Sequence, residues 1–336
     1  MSKTLPIGTR PDSAGADVSI CIPAWQSEGI VERALRCASA QTYARVRILV
    51  SVDHSEDATA AVCQAHAEHD RRVDVWVQTE RLGWAGNVNV LLSKVDTEFF
   101  FIYFHDDVIL PIYTERLLAA LREHPEAASV HCDMGHFGAS QHVSIGRGYS
   151  GPTAQRLVEF LVVPSRGSPL RSLTRTAMMG PGFGLPTDGG GFWANEPYLM
   201  SLLAAGPAAH VPEVLYQRWD QRDGGLTDSW KRYTFAQVVR GYRGYLRAAL
   251  SVLEKARLTK AEREVLVFCL YVRTMARVRD AEREHAVLTP TRPEDVNPVF
   301  ADMRMPDSLA SFGPQIHEWI VGHFNHLLRL EHRVAP

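Results

Sequence analysis

Six apolar residues in a row, Phe99-Phe100-Phe101-Ile102-Tyr103-Phe104, stop at His105-Asp106-Asp107, and no other stretch restricts the fold of this chain as tightly. The run is too short to span a membrane and too aromatic for a surface helix, so it reads as a strand buried on both faces. Such strands belong to α/β sheets covered by helices. Ligands bind beyond the carboxyl ends of strands in open sheets of this kind. Two acids at that place point to a divalent metal carrying phosphate, and the plain alternative is that they cap the helix that follows Pro111.

The neighbouring sequence continues the pattern. Strands are expected at Val18 to Ile22, Val46 to Val52, Val73 to Val77, Phe99 to Phe104 and Ala128 to Cys132, each a short β-branched or aromatic run. Helices are expected at Glu28 to Ala40, Ala58 to Glu68, Asn87 to Val95 and Tyr113 to Glu123, where apolar residues return at helical spacing. The result is a doubly wound α/β layout whose unusual residues gather where strands end. Those residues are Pro23-Ala24-Trp25, Asp53, Arg81-Leu82-Gly83 and Asp106-Asp107. In a parallel sheet these loops line one edge.

Composition narrows the partners. A length of 336 residues with 46% hydrophobic and 22% charged residues suffices for a substantial core. A net charge of -2 offers no general attraction to nucleic acid or anionic lipid, so an anionic ligand must be met by local charge or a metal. The five cysteines are odd in number and widely spaced, as in a reducing cytoplasm. Met1 to Gly15 carries no apolar signal core, and a cytoplasmic location is expected.

Taken in order, Val18-Ser19-Ile20-Cys21-Ile22-Pro23, Leu49 to Thr59 with Asp53, Gly83 with Asn89, Asp106-Asp107 with Pro111, and Val211-Pro212-Glu213-Val214-Leu215-Tyr216 resemble the family 2 glycosyltransferases, over roughly residues 17 to 220. The resemblance implies a single GT-A-like nucleotide-sugar-binding domain, doubly wound with a Rossmann-like mixed sheet. It also implies transfer of a sugar from a nucleotide-diphosphate donor of UDP, GDP or dTDP type to a hydroxyl acceptor. That acceptor is a glycan, a lipid-linked glycan or a small molecule, and the course is inverting and dependent on Mn²⁺ or Mg²⁺.

Residue by residue, the resemblance assigns Asp107 as first metal ligand and Asp106 to the ribose and the metal. It assigns Asp53 to the nucleobase, with Pro23, Ala24 and Trp25 beside base and ribose. Arg81 and Gly83 complete the donor side, and Arg222, in a mobile loop between Trp219 and Trp230, or Arg218 just before it supplies a counter-charge; the plain alternative for that loop is an ordinary exposed turn. Glu196, at the start of the helix before Gly206, matches the place of the catalytic base, and Asp188 ahead of Gly189-Gly190-Gly191 is the reserve. Each has a plain alternative: Asp53 as a turn acid, Trp25 as core, Glu196 as a helix N-terminal acid, and Gly180 to Gly191 as linker rather than acceptor loop. His105 stands where relatives often carry an acid; it is read as a nitrogen ligand favouring Mn²⁺ or as a hydrogen bond to a neighbouring loop.

His131, Asp133 and His136 match no established zinc spacing and are read as loop hydrogen-bonding groups, with His131 and Asp133 bordering the acceptor pocket. From about Tyr233 the pattern is helical, with helices expected to Leu253, from Ala261 to Glu284, and through Ile316 to Leu328. Residues 1–16 are expected as a flexible N-terminus, 17–230 as the catalytic domain and 231–336 as a helical region. That region packs on the domain, pairs with a second copy, or makes a weak peripheral membrane contact. Two alternatives to the glycosyltransferase stand: a nucleotide-sugar-binding scaffold without turnover, and another enzyme, a sugar-phosphate nucleotidyltransferase. The second needs a glycine-rich phosphate loop where this chain has Pro23-Ala24-Trp25.

Overall fold

The computed structural model describes residues 5–7, 15–162, 169–220, 230, 232–284, 304–314, 316–318 and 320–322. Arg222, most of the Trp219 to Trp230 loop and the end of the last expected helix lie outside the described residues. The elements are β1 (Leu5–Ile7), β2 (Val18–Ala24), α1 (Val31–Ser39), β3 (Val46–Val52), α2 (Thr59–His69), β4 (Val73–Val77), α3 (Gly83–Leu92) and β5 (Phe99–Ile102). They continue with β6 (Val108–Ile109), α4 (Tyr113–Glu123), β7 (Ser129–Gly138), β8 (Val143–Ser144), α5 (Thr153–Val162), β9 (Leu173–Arg175), α6 (Asn195–Ala205) and β10 (Ala208–Asp220). Two long helices follow, α7 (Phe235–Lys255) and α8 (Lys260–Glu284).

One ten-stranded sheet runs β1-β4-β3-β2-β5-β9-β7-β10-β6, with β8 beside β7. Strands β4, β3, β2 and β5 are mutually parallel, as are β7 and β10. The sheet is mixed because β1, β6, β8 and β9 pair antiparallel. These four strands have two or three residues each, too few for a period-2 signal, which is why the sequence does not announce them. Leu5–Ile7, inside the segment expected to be flexible, lies on β4.

The aromatic run serves both faces of the sheet. Phe99 and Phe101 join a core with Val18, Ile20, Ile22 and residues of α1 and α4, while Phe100 and Ile102 face Cys21, Leu49 and residues of α3 and α6. That two-sided burial explains the absence of polar alternation in the run. Helix α1 turns Val31, Ala34, Leu35 and Ala38 inward, the i, i+3, i+4, i+7 stripe of a helix lying on a sheet. Helix α5, not expected from the sequence, buries Leu157, Val158, Phe160 and Leu161.

The C-terminal helices share this second core. Tyr242, Leu246, Ala249 and Leu253 of α7 and Leu266, Phe268 and Leu270 of α8 belong to one cluster with Phe100 and Tyr198. Of the three expected uses of the helical region, packing on the sheet-bearing part is the one this arrangement displays. Helix α7 opens with a capping box between Thr234 and Gln237. Among the described residues no helix is long and apolar enough to cross a membrane, and all five cysteines are free thiols.

Candidate active site at the carboxyl edge of the sheet

Hydrophobic pairing of β2 with β3 in register from Val18↔Val46 to Ala24↔Val52 brings the ends of both strands level. Asp53 follows β3 directly and is 0% exposed. Its Oδ1 accepts from the backbone N–H groups of His54 (3.0 Å) and Leu82 (2.8 Å). Its Oδ2 accepts from Arg81. The same Arg81 guanidinium stacks on Trp25, 3.8 Å from the ring centroid, so three sequence-predicted residues from three loops form one unit. Gln26, next to Trp25, holds a φ of 40°, the kind of local strain that the surrounding fold must impose.

The loop after β5 meets this unit. His105 Nδ1 lies 2.8 Å from the carbonyl of Pro23. A carbonyl only accepts, so Nδ1 carries the proton and Nε2 is left with the lone pair. That Nε2 is buried without a hydrogen-bond partner. Arg33 of α1 donates to the carbonyl of Asp106 at 2.6 Å and lies over the rings of Phe137 and Trp219. Nothing in the helical pattern of α1 marks Arg33 out, because its role depends on the ends of β7 and β10.

Asp107 does not fit the assignment as first metal ligand. It is 2% exposed, and Oδ1 accepts from Trp219 N at 2.9 Å. Oδ2 accepts from Tyr216 Oη at 2.7 Å and from Arg171 Nε and Nη2 at 3.1 and 2.9 Å. Burial raises its carboxyl above the usual range, Arg171 pulls it back and Asp106 adds to the rise. A carboxylate so occupied ties the β5 loop to β10 and has few lone pairs left for a cation. Asp106, one residue earlier, is the other acid that the resemblance assigns to the metal.

The two candidate bases part company. Glu196 opens α6 but is only 3% exposed. Arg273 of α8 grips it through Nε (3.2 and 3.1 Å) and Nη2 (2.5 Å), and Tyr245 of α7 donates to it at 3.0 Å. Arg273 also donates to the carbonyls of Phe160 and Leu161 at the end of α5. Glu196 thus fastens four helices together, an arrangement its sequence position does not disclose because both partners lie beyond residue 240. Asp188, by contrast, has a side chain 60% exposed and pairs with Arg247 at 2.9 Å.

The glycines after Asp188 are neither linker nor loose loop. Gly191, three residues after Asp188, accepts from Trp84 Nε1 at 3.0 Å in the first turn of α3. A Cβ on Gly189 would stand 2.8 Å from Gly241 Cα, and one on Gly244 would stand 2.6 Å from the carbonyl oxygen of Asp188. Glycine is required on both sides for this contact with α7.

Other expectations meet different surroundings. His131 and Asp133 lie within β7 beside β10, where His210 Nε2 is 2.7 Å from Asp133 Oδ1. Both are buried in the sheet rather than bordering an acceptor pocket. His136 reaches the edge itself, with Nδ1 2.8 Å from Asp220 Oδ2. Its partner Asp220 escapes a reading by spacing because the end of β10 is far away in sequence, while His142 lies six residues on, in the turn before β8.

Residues 19–178 match the model of glycosyl transferase family 2. A curated relative, glycosyltransferase GlyA of Streptococcus pneumoniae, is 25% identical over 107 residues, 32% of this chain and 15% of that protein. The chain therefore spans a small part of that relative. Among solved structures, S. aureus TarS 1–349 in complex with UDP superposes with a TM-score of 0.64 at 13% identity, covering 95% of this chain and 92% of that one. A mannosyltransferase from Pyrobaculum calidifontis, in complex with GDP-Man and Mn²⁺, gives 0.52 at 14% identity, over 95% and 89%. Identities this low speak for the fold alone, which is of the GT-A type. Through residues 19–178, just under half of its length, the chain is similar to glycosyl transferase family 2.

Proposed function

We propose that the protein transfers a sugar from a nucleotide-diphosphate donor to a hydroxyl acceptor, with inversion at the anomeric carbon. The observation that carries this reading is the meeting of Asp53, Arg81 and Trp25 with the His105-Asp106 loop at one sheet edge. Asp53 is the acid for a nucleobase N–H, and Trp25 and Arg81 present the flat surfaces on which a base or ribose rests. Relatives of the same fold in complex with UDP or with GDP-Man and Mn²⁺ support a donor of this class.

The residues also fit a divalent cation. Asp106 supplies a hard oxygen and His105 a buried Nε2 lone pair whose ring is oriented by the Pro23 carbonyl. A bound Mn²⁺ or Mg²⁺ would neutralise charge growing on the leaving diphosphate. Asp107 holds the loop in place through Arg171, Tyr216 and Trp219. On the acceptor side, Asp188 takes the hydroxyl proton as that oxygen bonds to the anomeric carbon and the diphosphate leaves. Its exposure favours it over Glu196.

A second reading, donor binding without turnover, draws on the burial of Glu196 against Arg273. The test is incubation with UDP-, GDP- and dTDP-sugars and assay of released nucleoside diphosphate. Release lost in Asp106→Asn supports the transferase. Tight donor binding with no release under any acceptor supports the binding module.

A further inference from the structure

The turn between β7 and β8 folds back on the end of β10 and collects three metal-type side chains that the donor site described above does not use. His136, His142 and Asp220 present ligand atoms that all lie within 4.8 Å of one another. The backbone fixes the arrangement: His136 N donates to the carbonyl of His142 at 2.9 Å, and β7 pairs with β10 up to Gly138↔Asp220. The side chains of His136 and Asp220 are 5% and 13% exposed, and His142 is exposed.

We infer that this cluster is a binding site for a borderline transition-metal cation of the Zn²⁺ class. Two imidazoles and a carboxylate are the donor set such ions take, with a fourth position for water or an incoming ligand. His136 has the outer support expected of a metal ligand: Nε2 lies 2.8 Å from Ser144 Oγ, which fixes the ring with Nδ1 toward Asp220. Ser140 Oγ donates to the same Asp220 oxygen at 2.5 Å, and Arg218 Nε lies 3.3 Å from the other.

Binding requires little change. In the free state Nδ1–H of His136 donates to Asp220 and Ser144 O–H donates to Nε2. With the ion on Nδ1 the ring proton moves to Nε2 and is donated to Ser144 Oγ, so the imidazole stays neutral. Bonds of about 2.0–2.1 Å to a tetrahedral ion bring ligand atoms to roughly 3.4 Å apart. The movement falls on His142, whose ring stacks on His136 at 3.9 Å between centroids and is open to solvent. The ion would fasten the β7–β8 turn to the strand end that carries Trp219, the residue whose N–H holds Asp107.

The test is Co²⁺ titration of the chelator-treated full chain without nucleotide, read by visible d–d absorption and by melting temperature. The expected result is a four- or five-coordinate band saturating at one equivalent, displaced by Zn²⁺, with a rise in Tm on metal addition. His142→Ala, which leaves the His136 bonds to Asp220 and Ser144 in place, should weaken binding about tenfold or more. Asp106→Asn should not affect it. No saturable band, equal binding by His142→Ala, or loss of the band in Asp106→Asn would overturn the proposal. The last outcome places the ion in the donor site, so this inference and the transferase reading fail separately.

Discussion

Arg81 lies over Trp25, 3.8 Å from the centre of its ring, while the same guanidinium pairs with buried Asp53. The contact joins the loops after β2, β3 and β4. Asp53→Asn removes the charge that orients Arg81 and the acceptor for a base N–H. Charged hydrogen bonds contribute about 1.5–3 kcal/mol, so nucleoside diphosphate affinity by calorimetry should fall about tenfold or more. Unchanged affinity would place the base elsewhere.

Asp106 and Asp107 are adjacent but should fail differently. Asp107→Ala leaves Arg171 buried without its carboxylate, a loss of about 3–5 kcal/mol expected for breaking a buried pair. Denaturant unfolding should register it. Asp106→Asn should unfold near the wild-type midpoint and lose turnover with either Mn²⁺ or Mg²⁺. A stable Asp107→Ala would contradict the structural role given to that acid.

Much of this edge was legible in the sequence because it rests on local signals. Strands β3 and β4 and helix α4 have the ends their patterns foretell, and Asp53, Arg81 and Trp25 meet because parallel strands end on one side. What escaped depends on distant partners. The choice between Asp106 and Asp107 turns on Arg171, Tyr216 and Trp219, and the surroundings of Glu196 turn on Arg273 and Tyr245. No periodicity in a single segment carries such contacts.

The two candidate bases give opposite signatures. Asp188→Asn should lower kcat by about 10²-fold or more, the range of general-base contributions, with little change in Tm. Glu196→Gln, which breaks the Arg273 pair inside the helical core, should lower Tm by several degrees. Steady-state kinetics beside thermal unfolding separates the roles. A large kcat loss in Glu196→Gln at unchanged Tm would return the base to Glu196.

His131 gives a pH signature independent of catalysis. Burial, then the facing His210, pushes its imidazole down to about 3, and Nδ1 is buried without a hydrogen bond. The unfolded chain binds this proton near pH 6.5 and the folded one does not. The stabilising difference is therefore complete above about pH 6.5 and is lost as pH falls toward 3. Urea midpoints from pH 7 to 5 should decline in wild type and decline less in His131→Gln.

The most direct measurement of the central claim is calorimetric titration of the full chain with UDP, GDP and dTDP, each with and without Mn²⁺, in wild type and Asp106→Asn. The account predicts saturable binding of one of these nucleotides, strengthened by Mn²⁺ in wild type and insensitive to it in Asp106→Asn. Absence of binding by any of the three, or an equal Mn²⁺ effect in both proteins, would contradict it.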